Sequence, residues 1–334
     1  MNEITRSQLA AMLLITDAFA LFCFTGSISL ITTAGLTAGI FIQLFLAAPL
    51  IKLGGIKTKP AYIFYLIYMI MWGGLLLGMQ WKTSEHIYIP YENSAGIWGK
   101  LLISGIIAVV CLYISSAGIK AMGRAAVIAA FIGAVCILTA AVSGVVHLET
   151  ENLVRAESGR SIPEELLTGL ALSGGTGSLA ILLGITKGSS GKNVSFYFVG
   201  KAVLTAVVTL TTVTVAGGIM EITDFPVVTA AQVSQPFSSQ RIDSLFLIVF
   251  AIFAVFSIAV QTASSAYILG ELFPKFVRFR SSVSLLLIIG AAFLLWKVPL
   301  NSGIIGAGSA AALFAVPLVV LICSRIIPQK GRIS

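Results

Sequence analysis

LALSGGTGSLAILL, residues Leu170–Leu183, decides how this chain is built. Its two ends are apolar enough to lie in lipid, yet Gly174, Gly175 and Gly177 fall within four residues, interleaved with Ser173, Thr176 and Ser178. A glycine inside a helix costs about 1 kcal/mol relative to alanine. Bunched glycines therefore predict local unwinding, whereas close helix packing through small residues would space them by four. Backbone N–H and C=O groups freed at membrane depth are tolerated only where they line a protein-buried cavity.

The surrounding chain supports a membrane setting. Of its 334 residues, 57% are hydrophobic and 10% charged, against about 25% charged in soluble domains. A water-soluble globule is excluded. The net charge of +8 would suit nucleic acid only if the basic residues shared one folded face, but they lie in small groups between apolar runs. Cys23, Cys111, Cys136 and Cys323 each sit in an apolar stretch without a CxxC pair or a nearby histidine, so they read as small hydrophobes. Neither a metal nor a cofactor is expected. The first apolar run lacks a small-residue cleavage pattern, and an N-terminal segment that stays on is expected.

A membrane-crossing helix needs about 20 mainly apolar residues. Ten runs qualify: 9–27, 29–51, 61–80, 99–118, 123–147, 166–186, 196–219, 243–270, 282–298 and 303–327. Lys and Arg orient them. With the N-terminus inside, the inner segments carry Arg6; Lys52, Lys57, Lys59; Lys120, Arg124; Lys187, Lys192, Lys201; Lys275, Arg278, Arg280; and Arg325, Lys330, Arg332. Only Lys82, Lys100, Arg155, Arg160, Arg241 and Lys297 lie outside, while most acids, Glu165 among them, do. Both termini are expected to be cytoplasmic.

Asp17, in LLITDAFALF (Leu13–Phe22), is stranded within the first span, where a central Asp costs about 2.5–3.5 kcal/mol on insertion scales. It reads either as a binding or proton-accepting carboxylate or as a structural one satisfied by nearby backbone N–H groups and hydroxyls. Spans one and six occupy corresponding places if the chain is two halves of five, and paired interruptions of this kind point to a transporter's midplane site. On span eight, Ser257, Gln261, Ser264 and Ser265 share one face, suited to an ion or polar path or to interhelical hydrogen bonds. Thr205, Thr209 and Thr212 read as interhelical hydrogen bonding, and Tyr62, Tyr65, Tyr68 and Trp72 as aromatic packing or a membrane-interface belt. The two histidines, His86 and His147, lack metal-like companions. With no Ser/His/Asp set, HExxH or GxxxxGK[ST] segment, an enzyme is not expected.

GIKAMGR (Gly118–Arg124), FP (Phe225, Pro226) and QRIDSLF (Gln240–Phe246), with the opening ITRSQLAAMLL, resemble the spore germination permeases, the B subunits of germinant receptors. Phe250 stands where that family's span eight carries tryptophan. The resemblance implies the amino acid–polyamine–organocation transporter fold: an all-α polytopic membrane protein, a single domain over 1–334, with a five-plus-five inverted repeat (about 8–147 and 166–327) and broken helices one and six. It places the unwound parts, and so the ligand, at Thr16, Asp17 and Ala18 and at Gly174, Gly175, Thr176, Gly177 and Ser178. It also implies a germinant-sensing role in the spore inner membrane, with other receptor subunits as partners and an amino acid as ligand. In that reading Asp17 holds the ammonium, and the half-helix near Gly177 receives the carboxylate. The alternative is a symporter coupling amino acid uptake to protons through Asp17.

Overall fold

The computed structural model describes residues 3–88, 96–146, 161–172, 175–217, 223–233, 243–276, 279–296 and 302–326. These form fourteen α-helices: α1 (Arg6–Phe22), α2 (Leu30–Leu46), α3 (Ala48–Leu53), α4 (Lys59–Tyr88), α5 (Gly96–Ala117), α6 (Ile119–Val146), α7 (Ile162–Ala171), α8 (Thr176–Leu182), α9 (Ser190–Ala216), α10 (Pro226–Val233), α11 (Asp243–Leu272), α12 (Arg280–Trp296), α13 (Ser302–Ala310) and α14 (Val316–Ile326). A π-helical turn, Ala311–Ala315, joins the last two. Among the described residues the only β pairing is a single bridge between Ile4 and Thr186.

Among the described residues seven helical stretches are long and apolar enough to cross a membrane, and the bent pair α7–α8, taken as one span, makes an eighth. Helices α1 and α12, at 17 residues each, stand at the short end of the spanning range. Each of the ten apolar runs thus contains a helix among the described residues. The chain is a polytopic helical membrane protein. Phe45, Ile67, Tyr113, Phe131 and Leu294 project from its surface, as hydrophobes facing hydrocarbon must.

Helix α1 is the central element. Its N-terminus is closed by a capping box in which Thr5 and Gln8 exchange hydrogen bonds, and from Leu9 to Phe22 nearly every side chain is buried. A helix apolar all round is expected at the middle of a bundle rather than at its edge. Phe19 packs on Phe250 of α11 with ring centroids 5.4 Å apart, and Phe22 stacks on Phe253 at 5.8 Å.

Helices α2 and α7 run side by side in the same direction, as spans separated by an even number of crossings must. Their backbones touch through glycine. A Cβ on Gly39 would lie 2.8 Å from the Gly169 backbone, and one on Gly35 2.5 Å from Glu165 Cβ. Small residues allow this approach where lipid supplies no hydrophobic drive to association. At one end Thr32 Oγ1 donates to Glu165 Oε1 at 2.9 Å. At the other, the Gln43 amide donates to the carbonyls of Gly169 (3.1 Å) and Leu170 (2.8 Å), two of those that a helix C-terminus leaves open. The first half of span six is therefore fastened to α2 along its whole length.

A similar repair occurs at the π turn, where Tyr65 of α4 donates its hydroxyl to the Ala312 carbonyl. Tyr65→Phe should cost about 1–3 kcal/mol by leaving that buried carbonyl unpaired. Thermal unfolding in detergent measures the loss.

Candidate functional site

The expected break in span six is present. Helix α7 stops at Ala171, Gly175 N-caps α8, and the two half-helix axes differ by 41°. Ser173 and Gly174, the latter one of the expected ligand-binding residues, lie outside the described residues. Thr176, Gly177 and Ser178 form the buried first turn of α8.

Span one is not unwound where the resemblance places it. Thr16, Asp17 and Ala18 are fully helical, with Thr16 Oγ1 donating back to the Met12 carbonyl at 2.9 Å. The helix runs without interruption to Phe22, and residues 23–29, where Gly26 adopts φ 110°, connect it to α2. An acid does not unwind a helix when its carboxylate is satisfied sideways. Thr25-Gly26-Ser27 supply the turn between the two helices.

Asp17 meets donors from two other elements. Its Oδ1 accepts from the Gly175 backbone N–H at 3.1 Å and lies 3.2 Å from Lys201 Nζ, and its Oδ2 accepts from the Tyr197 hydroxyl. Tyr197 and Lys201 sit one turn apart on α9 and therefore share a face. Lys201 also donates to Gln43 Oε1 at 3.0 Å, which links the pair to the α7 carbonyls already bound by the Gln43 amide. One buried network thus joins α1, α2, α9 and both sides of the span-six break.

Two charged residues of this region lie inside the protein rather than in the loops where the charge pattern puts them. Lys201 is not on an inner loop: it lies in the interior of α9, fully buried. The apolar run of span seven begins at 196, but the helix starts at Ser190, because its polar first turns pack near Ile51, whose carbonyl accepts from the Ser190 hydroxyl. Without Lys201 the inner side still holds fourteen of the basic residues against six. Glu165 is likewise not in an outer loop but fully buried on α7, and its Oε2 has no hydrogen-bond partner among the described residues.

Tyr68 and Trp72 of α4 were expected to be packing residues, and the structure places them against the break. A Cβ on Gly177 would stand 2.5 Å from Tyr68, whose ring stacks on Trp72 (6.2 Å, 3°) and whose hydroxyl lies 3.3 Å from Ser309 Oγ. From α11, Gln261 Oε1 accepts from Ser178 Oγ at 3.1 Å. The other three residues of the span-eight stripe diverge from it. Ser257 bonds back to Phe253 at 2.6 Å, Ser265 faces Ser284 of α12, and Ser264 is buried with no partner for its hydroxyl among the described residues. Thr209 and Thr212 bond back within α9, to the carbonyls of Thr205 and Val208, rather than across to another helix.

Of the other buried polar atoms without a hydrogen-bond partner among the described residues, Trp72 Nε1, on the ring stacked against Tyr68, and Thr176 Oγ1, in the first turn of α8, lie on elements at the break. Buried polar groups are nearly always paired, so orphans flanking a helix break mark a place where a polar ligand or water belongs. Among the described residues no three His, Cys, Asp or Glu side chains are grouped to hold a metal.

No protein-family description matches the chain, and no curated protein matches it either. Among solved structures it is similar to Mhp1, a nucleobase-cation-symport-1 family transporter, in a closed conformation with bromovinylhydantoin bound. That match has 15% identity and a TM-score of 0.62, covering 99% of this chain and 80% of the other. The inward-facing conformation of Mhp1 matches with a TM-score of 0.60 over 94% of this chain and 76% of that one, again at 15% identity. The chain therefore has the fold of that transporter along almost its full length.

Proposed function

We propose that the chain is a secondary transporter for a small polar molecule, built as two five-span repeats (about 8–147 and 166–327). Its ligand would sit at the span-six break between α4, α8 and α11. The observation carrying this reading is the group of neutral polar atoms around the break: the orphaned Trp72 indole N–H, the orphaned Thr176 hydroxyl, and the Ser178–Gln261 pair beside the Tyr68–Trp72 stack. An aromatic wall with a few fixed polar groups is the usual make-up of a small-molecule pocket.

The same geometry narrows the ligand's chemistry. Asp17 already holds an ammonium, that of Lys201, together with two further donors, so an amino acid's ammonium is not its natural partner. An uncharged molecule with amide-like hydrogen-bonding groups and a flat or apolar body fits better than a free cation. Mhp1 was solved with a hydantoin, a molecule of that kind, and the likeness of fold is in keeping with this reading. Germinant sensing would require receptor subunits for which neither the site nor the comparisons give support, so transport is the reading adopted. Both termini on the cytoplasmic side remain part of the proposal, resting on the basic bias of the inner loops.

Uptake of a labelled panel of cyclic amides, nucleobases and amino acids into proteoliposomes tests the proposal. At least one uncharged member should accumulate, and Gln261→Ala with Trp72→Phe should reduce its uptake by about tenfold or more, the effect of removing hydrogen bonds to a desolvated ligand. Uptake of none of them, or uptake unchanged in the double variant, would contradict the reading. An imposed pH gradient applied to the same vesicles shows whether protons drive it.

A further inference from the structure

Gly78 lies inside the long helix α4, where a glycine costs about 1 kcal/mol relative to alanine. Elsewhere on this helix the expense has a packing reason: a Cβ on Gly74 would lie 2.8 Å from the Ala292 backbone N. At Gly78 there is no such reason, because a Cβ there would meet nothing within 4 Å. It would project into a cavity of about 300 Å³ that Gly78 lines together with Met79, Lys82, Phe225, Trp296 and Ile305. The missing side chain keeps this space open.

The walls carry a consistent electrostatic sign. Among the described lining residues Lys82 is the one charged side chain, and none of them is a carboxylate. Behind Trp296, the buried Lys100 ammonium stands 3.5 Å from the indole centroid, its charge shared with Glu85 at 3.3 Å. His86 packs against the Phe225 ring at 5.2 Å. Lys82 is one of the few basic residues that charge sorting assigns to the outer side.

We propose that this cavity is a second binding site, separate from the span-six break, for a small amphipathic carboxylate whose anionic end pairs with Lys82 and whose apolar body lies among Trp296, Phe225 and Ile305. Its volume equals about ten water molecules. That suits a molecule of roughly the size of phenylacetate. The apolar walls supply burial energy and the single exposed-end cation supplies the sign preference. The proposal does not depend on the transport reading.

Phenylacetate, phenethylammonium and 2-phenylacetamide, titrated against the purified full chain, provide the test, with binding read by tryptophan fluorescence and by thermal shift. Phenylacetate should bind saturably and more tightly than the other two. Lys82→Met should weaken it by about tenfold, and Lys82→Arg should restore it. Gly78→Leu should abolish binding while leaving the melting temperature equal or higher, since the new side chain enters empty space. That last variant also separates this site from the other: uptake governed by Gln261 and Trp72 should persist in Gly78→Leu if the transport reading holds. Absence of saturable phenylacetate binding, equal binding of phenethylammonium, or binding that survives both Lys82→Met and Gly78→Leu would overturn the proposal.

Discussion

Lys201→Met is expected to destabilise the protein by about 3–5 kcal/mol, the cost of leaving one member of a buried ion pair without the other. Lys201 is fully buried, and the carboxylate it faces, Asp17, is only 2% exposed. Without Lys201 the Asp17 charge would keep the Gly175 N–H and the Tyr197 hydroxyl but lose its only cation among the described residues, while Gln43 Oε1 would lose its donor. Asp17→Asn should fall in the same range, because it strands the ammonium instead. The double variant Asp17→Asn/Lys201→Met removes both charges and should recover most of the loss. A buried pair replaced as a unit is often close to neutral. Unfolding of the four proteins in detergent gives the cycle, with a coupling energy well above the experimental error expected. Additive losses would show that the pair does not act as a unit.

Gly39→Val should be as damaging for a different reason. A Cβ on Gly39 would stand 2.8 Å from the Gly169 Cα and carbonyl carbon and from the Leu166 carbonyl oxygen, all backbone atoms that cannot swing aside. Overpacking of this kind costs about 1–3 kcal/mol where side chains can adjust, and more where two backbones must separate. Forcing α2 from α7 would also pull the Gln43 amide from its carbonyls, so the change should lower both the folded yield and the melting temperature. Gly39→Ala should fall between wild type and Gly39→Val. Size-exclusion profiles and thermal unfolding measure the series. A wild-type profile for Gly39→Val would show that the α2–α7 contact is looser than the structure has it.

These expectations rest on features that differ in how readily the sequence discloses them. The span-six interruption is local: bunched glycines in an apolar run carry their own cost, and the helix breaks where they stand. Asp17 also announces itself, as an acid among apolar neighbours. What surrounds it does not. Tyr197 is 180 positions away, and no spacing rule reaches that far. Lys201 was hidden by its place near the start of an apolar run, where a lysine ordinarily marks the inner membrane surface. It lies on one helical face with Tyr197, and that i, i+4 pair of polar groups was the available clue.

The unwinding that the resemblance implies at residues 16–18 is absent for a related reason. Asp17 finds its donors on other elements, so α1 stays continuous to Phe22, and the chain turns only where it connects to α2, around Gly26. The aromatic stripe of α4 was legible as a face but not as a direction: ring periodicity does not distinguish a lipid-facing belt from the wall of a site. Tyr68 turns inward because Gly177 leaves room for its ring, and Trp72 stacks on it.

The central claim is that a small uncharged molecule binds at the span-six break and that Asp17–Lys201 holds the break in shape without contacting that molecule. The most direct measurement is a thermal-shift titration of wild type, Gln261→Ala/Trp72→Phe and Asp17→Asn/Lys201→Met with the uncharged compound that is taken up best. The account predicts saturable stabilisation of wild type, loss of it in Gln261→Ala/Trp72→Phe, and retention of it in Asp17→Asn/Lys201→Met. Stabilisation that persists without Gln261 and Trp72 but vanishes with the ion pair would contradict the account and return Asp17 to the ligand.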